Sequence, residues 1–375
     1  MKRISRKGAF SIHISMFVAL LLLFGGCSEQ TNFPLAPDAQ TSHAQQSVTT
    51  LSKDNPGIRR AMEVQERNSE RFFAQHGVIG IGTGMTLSGE LAVIVFTEEA
   101  LPPGRLPEMI EGLPVLQRVG GPVEISGKPG TTGKDKNSTG TTGTTVGRTD
   151  RIARPVPIGV STSNYYDCGA GTIGVRVKNN DAYYVLSCNH VFARFNAATG
   201  GELILQPGRS DNSCVTVLTD EIARVADLES ISYSMYAANT MDAAIASTTA
   251  SSVGNSTPVD GYGTPSATTA QALVGMEVQK YGRTTGLTRG RVVAINCTVI
   301  VPYPAGATRF VNQIVVEPIR KNRTFVDGGD SGSLVVTDDS NANPVGLAFA
   351  KSGDLAYVNP IDPILQRFGV QIDGK

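Results

Sequence analysis

The sequence predicts a mainly β protein, in which short strands form an antiparallel barrel or sandwich behind a small α+β unit. Three observations predict this. With 41 Gly, 20 Pro and no Trp among 375 residues, the composition favours turns over long helices. From Pro155 onward, the runs AGTIGVRV, AYYVLSCN, CVTVL, DAAIAS, MEVQKYG, GRVVAINCTVIV, NQIVVEP, GSLVVT, PVGLAFA and LAYVNP are divided by Gly, Asn, Asp and Pro. Turn signals about every 8 to 15 residues are the spacing of an all-β domain. No helix-period segment of comparable length intervenes before Ile361 to Phe368.

At about 150 residues per domain the length suits two domains, and 40% hydrophobic residues suffice for a core. Lys plus Arg and Asp plus Glu each number 33, so the formal charge is zero. That balance argues against a nucleic-acid partner, which a basic stripe would hold, and leaves peptides and small molecules open.

In chain order, MKRISRK is basic and SMFVALLLLFGG is apolar but too short for a stable bilayer-spanning helix, so residues 1–26 read as an export signal. The junction LFGGCS resembles a bacterial lipoprotein signal, which implies cleavage after Gly26 and lipidation of Cys27. Ordinary secretion is the alternative. Residues 27–55 have the Ser, Thr, Gln, Asn and Pro content of a disordered tether. Residues 56–125 form the small α+β unit: a helix from Ile58 to about Ala74, a hairpin turning at Leu87-Ser88-Gly89, a short helix near Leu106 to Gly112 and a strand at LPVLQRV. The glycines at 80, 82 and 84 do not make a dinucleotide loop, because Met85 stands at the third glycine position and a hairpin follows. Residues 126–150 have the Gly, Thr and Ser content of a linker, and 151–375 form the β-rich domain.

An export compartment permits disulfides. With Cys27 set aside, Cys168, Cys188, Cys214 and Cys297 allow three connectivities. Cys168 with Cys188 is favoured, because the two flank a strand pair and close a loop of about 20 residues, which contributes roughly 3 kcal/mol. The alternative is four small buried hydrophobes. None has the paired spacing of a zinc site, and no metal or cofactor is expected.

Hydrolysis by serine needs a hydroxyl, a base, a group that orients the base, and backbone donors for the oxyanion. In Asp327-Gly328-Gly329-Asp330-Ser331-Gly332-Ser333 a serine stands between glycines in a tight turn, where the amides of Gly329 and Ser331 can converge as an oxyanion hole. A polar hairpin turn is the alternative. The α/β-hydrolase pattern is excluded, since Ser333 stands where it needs glycine. Of the four histidines, His13 lies in the leader, His43 in the tether and His76 at a helix end, which leaves His190 for the β-rich domain. It follows an apolar run, so it belongs at a strand end, where a rigid element can aim an imidazole. Asp242, within Met241-Asp242-Ala243-Ala244-Ile245, is costly to bury unless paired. It is therefore a better orienting acid than Asp211, Asp338 or Asp339 in polar turns.

The order His190, Asp242, Ser331, in Leu-Ser-x-Asn-His-Val, Met-Asp-Ala-Ala-Ile and Gly-Asp-Ser-Gly-Ser, resembles a trypsin-like serine protease of the chymotrypsin fold. The endings Gly-Leu-Ala-Phe-Ala and Asn-Pro-Ile narrow the resemblance to bacterial relatives of the plant Narrow Leaf proteases. It covers about Pro155 to the end. The resemblance implies a double six-stranded antiparallel β-barrel with the site between the barrels. Ser331 is then the nucleophile, His190 the general base and acid, Asp242 its orienter, and the Gly329 and Ser331 amides the oxyanion hole. Animal digestive members anchor the aspartate before the serine, here Asp330, with a freed N-terminus, and no comparable cleavage sequence is evident. Streptogrisins use an arginine, and Tyr281-Gly282-Arg283-Thr284-Thr285-Gly286 resembles the segment that supplies it, which implies an Asp330 to Arg283 ion pair. Phe325 stands where trypsin carries its specificity aspartate, so a small apolar or otherwise restricted pocket is expected, with Asp327 near enough to face the substrate.

The expectation is a membrane-anchored serine endopeptidase acting on peptide or protein substrates. Its place is the bacterial cell envelope, at the outer membrane, the periplasmic face or the cell surface. The alternative is a non-catalytic envelope module that binds peptides or proteins on the same fold.

Overall fold

The computed structural model describes residues 53–125, 147–180, 182–320 and 323–375, which lie in one compact unit. The leader, Cys27 and most of the tether and linker lie outside the described residues. Among the described residues no helix is long and apolar enough to cross a membrane.

Helix α1 (Pro56–Phe73) begins where Asn55 Oδ1 accepts the Gly57 amide at 2.8 Å, and Pro56 fills the first position, where an N–H is not needed. Its buried Val64 and Phe72 pack on Ile81, Val93 and Val95. These come from the expected hairpin, β1 (Val78–Met85) and β2 (Leu91–Thr97). The helix expected near Leu106 to Gly112 does not form. Pro107 falls within it, Glu111 and Gly112 take positive φ of 47° and 84°, and the chain makes only the short β3 (Met109–Ile110) before β4 (Leu113–Val119). β4 lies parallel to β2, and β5 (Val123–Ile125) leaves this group to pair with a strand of the second barrel.

The first barrel contains β6 (Ser161–Asn164), β7 (Gly171–Thr172), β8 (Val175–Asn179), β9 (Ala182–Ser187), the single turn α2 (Asn189–Phe192), β10 (Leu203–Leu205), β11 (Glu221–Leu228) and β12 (Ala244–Thr248). The second contains β13 (Glu277–Gly282), β14 (Gly286–Tyr303), β15 (Gly306–Pro318), β16 (Leu334–Thr337), β17 (Pro344–Ser352) and β18 (Leu355–Pro360). Helix α3 (Ile361–Phe368) then returns the chain to the first barrel, where β19 (Gln371–Ile372) pairs with β8.

In the first barrel the strand order is β8-β9-β12-β11-β10-β6. The ring closes through the Ile173 amide to Val160 O at 2.9 Å and the Gly159 amide to Ile173 O at 2.7 Å. In the second the order is β13-β16-β17-β18-β15-β14, and β13 pairing with β14 closes it. The double six-stranded antiparallel barrel is therefore present. Beyond the barrel, the outer part of β14 pairs with β1 (Gly80 opposite Val299, Gly84 opposite Ala294). Residues 56–125 thus share a sheet with the second barrel instead of standing apart from it.

Two further expectations fail together. CVTVL is not a strand, because Ser213 and Cys214 take positive φ of 54° and 60°. Cys214 instead bonds to Cys168, with Cα atoms 5.3 Å apart, so the expected Cys168 to Cys188 bridge is absent. Cys188 closes β9 facing the core, free and buried, and Cys297 is free and buried in β14.

Candidate active site

His190 lies in α2, one turn after β9 ends, with its side chain buried. That turn is pinned by Asn189, whose Nδ2 donates to Glu229 O at 2.7 Å and to Asn196 Oδ1 at 2.8 Å. Phe195 stacks on the imidazole with centroids 6.0 Å apart. Asp242 lies two residues before the start of β12, the neighbour of β9, and is fully buried. Its Oδ1 accepts the His190 amide at 3.1 Å and its Oδ2 lies 2.6 Å from His190 Nδ1. The Tyr303 hydroxyl, from the end of β14, donates to the same Oδ2 at 2.5 Å.

Burial pushes the Asp242 carboxyl up, but the His190 charge and the hydrogen bonds from His190 and Tyr303 outweigh it and hold it below the usual carboxylate range. Burial and the neighbouring Asp242 raise the Tyr303 hydroxyl well above its ordinary value, so it remains a donor. An ionised carboxylate only accepts, so Nδ1 carries a proton, and whenever the ring is neutral Nε2 is its acceptor. Nε2 is buried and has no hydrogen-bond partner among the described residues.

Ser331 occupies the turn before β16. Gly329 and Gly332 bracket it with φ of 98° and 91°, which only glycine adopts freely. A Cβ on Gly332 would lie 2.1 Å from Ser187 Oγ, so this turn sits directly against the end of β9, three residues before His190. Cys188 Sγ and the Gly332 amide both donate to Ala348 O, at 3.4 and 2.8 Å. The structure thus brings Ser331 to the same barrel interface as the histidine and the aspartate. It does not join them in one hydrogen-bonded chain: Ser331 Oγ donates to Phe349 O at 3.1 Å. The amides of Gly329 and Ser331 meet no protein acceptor among the described residues.

Asp330 is fully buried and accepts the Thr284 amide at 2.8 Å, the Asp327 amide at 2.9 Å and the Thr285 hydroxyl at 2.6 Å. Its cation is Lys280, 3.3 Å away, and not Arg283. The reason is strand parity. On β13, Lys280 and Gly282 face the same way, and a Cβ on Gly282 would lie 2.5 Å from Asp330 Oδ1. Arg283 falls on the opposite parity and pairs with Asp211, Nε to Oδ2 2.9 Å, while its side chain runs beneath Gly329. Burial pushes the Lys280 ammonium down, and Asp330 opposes that shift.

Sequence reasoning missed Lys280, Tyr303 and Asp211. Lys280 gave no local signal, because its neighbours Val278, Gln279 and Tyr281 are buried as well. Phe325 is fully buried in the second barrel's core, and the nearby Asp327 carboxylate pairs with Lys351 at 2.7 Å. Cys188, His190 and Asp242 bring potential metal-ligand atoms within 4.8 Å of one another. The donor set does not fit a metal, because His190 Nδ1 and Asp242 Oδ2 are spent on each other and burial keeps the Cys188 thiol protonated.

Residues 230–359 match the family model described as the Nal1 C-terminal domain. That match is consistent with the Narrow Leaf resemblance read from the sequence. No curated protein matches the chain. Among solved structures, the chain is similar to Thermobifida fusca Protease A at 19% identity and TM-score 0.40, covering 59% of this chain and 99% of that one. Cellulomonas bogoriensis chymotrypsin is similar at 19% identity and TM-score 0.37, covering 59% and 99%. Alpha-lytic protease homolog N4 is similar at 20% identity and TM-score 0.39, covering 58% and 98%.

Proposed function

We propose that this chain is a serine endopeptidase that hydrolyses peptide bonds through an acyl-enzyme at Ser331. The observation that carries the reading is His190 Nε2, buried and without a hydrogen-bond partner while Asp242 holds the other side of the ring, on a turn three residues beyond the β9 end against which the Ser331 turn packs. In the reaction the Ser331 hydroxyl turns from Phe349 O, giving up a hydrogen bond worth about 1 kcal/mol. Nε2 takes its proton as Oγ bonds to the carbonyl carbon, and Asp242 steadies the imidazolium. The oxyanion accepts hydrogen bonds from the Gly329 and Ser331 amides. The imidazolium then protonates the leaving amine as the C–N bond breaks. Water attacks the ester with His190 again as base, which releases the acid and restores the hydroxyl. Lys280, Asp330 and Arg283 support this turn from behind. The test is peptide-library cleavage by the purified protein, abolished in Ser331→Ala.

The second reading, a peptide- or protein-binding envelope module, is favoured by the Ser331 hydroxyl's bond to Phe349 O. It predicts peptide binding with no cleavage and no acyl-enzyme. In both readings Cys27 carries a lipid anchor that holds the protein in the bacterial envelope, a location that suits the Cys168–Cys214 disulfide. Fatty-acid incorporation that is lost in Cys27→Ser tests the anchor.

A further inference from the structure

One edge of β17 pairs with β18 from Gly346 to Ser352. Along the other edge three neighbours follow one another. β16 pairs with residues 344–347. The nucleophile turn comes next, through the Gly332 amide to Ala348 O at 2.8 Å and Ser331 Oγ to Phe349 O at 3.1 Å. β5 then covers the remainder, antiparallel, with Ile125 opposite Ala350, Glu124 opposite Lys351 and Val123 opposite Ser352. This edge of β17, beside the Ser331 hydroxyl, is a backbone ladder that an extended peptide could join, the mode by which a sheet edge takes up a peptide strand. The protein's own chain already fills it.

The approach to β5 is fitted closely to the rim. Ser352 Oγ donates to Gly121 O at 2.6 Å, and a Cβ on Gly353, whose φ is 59°, would lie 2.2 Å from Gly120 O. Val123 and Ile125 are each 5% exposed. Yet β5 is only three residues long and, among the described residues, pairs with no strand except β17. Such an element is displaceable where a strand inside a sheet is not.

We propose that β5 is an autoinhibitory strand that occupies the substrate edge of β17 and must leave it before a peptide substrate binds. The inference rests on the peptidase reading and adds its regulation. Competition from within the chain lowers the fraction of molecules with an open edge. It therefore raises the apparent KM for peptides and leaves kcat alone.

The experiment compares two variants of the full-length protein. In Glu124→Cys with Lys351→Cys, the directly opposed positions form a disulfide that locks β5 in place. Peptide turnover in its oxidised form should fall at least about tenfold below that of its mildly reduced form, with the Cys168–Cys214 bond checked by mass in both. In Val123→Asp with Ile125→Asp, the strand loses its seat and KM for peptides should fall by about tenfold at unchanged kcat. Equal peptide turnover in the locked and unlocked forms overturns the proposal, even if the second variant fails to fold. Labelling of Ser331 by a small fluorophosphonate, which needs no strand edge, separates the two readings. Labelling without any effect of the lock rejects the autoinhibitory strand alone. Absence of labelling in every form rejects the peptidase and the strand's role with it.

Discussion

On the first-barrel side His190 Nδ1 already lies 2.6 Å from Asp242, with Tyr303 from the end of β14 on the same carboxylate and Phe195 stacked on the ring. In the second barrel the Ser331 turn is equally well built, but its hydroxyl points to Phe349 O and its neighbouring edge is filled by β5. Readiness therefore differs between halves that are comparably buried. The base pair depends on contacts among fixed strand ends, whereas the nucleophile side depends on one rotatable hydroxyl and one short strand. In the peptidase reading, control of the site belongs on the second barrel, where a small motion suffices.

The largest expected effect comes from loosening the nucleophile side at its buried ion pair. Lys280→Met leaves Asp330 without its cation and should cost about 3–5 kcal/mol in guanidinium unfolding. Because Asp330 adjoins the oxyanion donors, kcat in the folded fraction should also fall about 10²-fold to 10³-fold, measured by active-site-titrated peptide turnover. Unchanged kcat would mean that the turn holds its shape without this pair.

Loosening the base side should cost less. Tyr303→Phe removes one hydrogen bond to Asp242 and should lower kcat/KM about tenfold, with fluorophosphonate labelling slowed to the same extent and the melting temperature little changed. If labelling keeps its rate, Tyr303 packs against the carboxylate without tuning it.

The smallest effect probes the first barrel away from the site, where Arg176 Nε meets Asp373 at 2.7 Å and ties β8 to the chain end after β19. Burial raises the Asp373 carboxyl, but hydrogen bonds from Arg176 and Lys178 outweigh it and hold it below its ordinary value. Its contribution is thus complete above about pH 4 and is lost as pH falls through the lowered value. Asp373→Asn should reduce stability by on the order of 1 kcal/mol at neutral pH, with the difference from the parent shrinking in acid. A difference independent of pH contradicts that assignment.

The residues that the peptidase reading assigns to the chemistry were legible because each violates its surroundings: a histidine after an apolar run, an aspartate among alanines, a serine between glycines. The strand succession of the β-rich domain was legible for a related reason, since period-two patterns and turn residues are local. What escaped depends on parity or on distant chain crossings. Val278, Gln279, Lys280 and Tyr281 are all buried, so β13 shows no inward face from which to choose Lys280 over Arg283 as the partner of Asp330. The Cys168 partner lies 46 residues away behind a left-handed turn. The pairing of β1 with the outer half of β14 gives no local sign in either strand, which is why 56–125 reads as a separate unit. A three-residue strand such as β5 is shorter than any periodicity can register.

The most direct measurement is the intact mass of the folded, purified protein after exposure to a fluorophosphonate, in parallel with its Ser331→Ala and His190→Ala forms. The account predicts a single adduct on the parent, none on Ser331→Ala, and labelling slowed by about 10³-fold or more on His190→Ala. An unmodified parent mass, from protein that is folded and that cleaves no peptide, would contradict it.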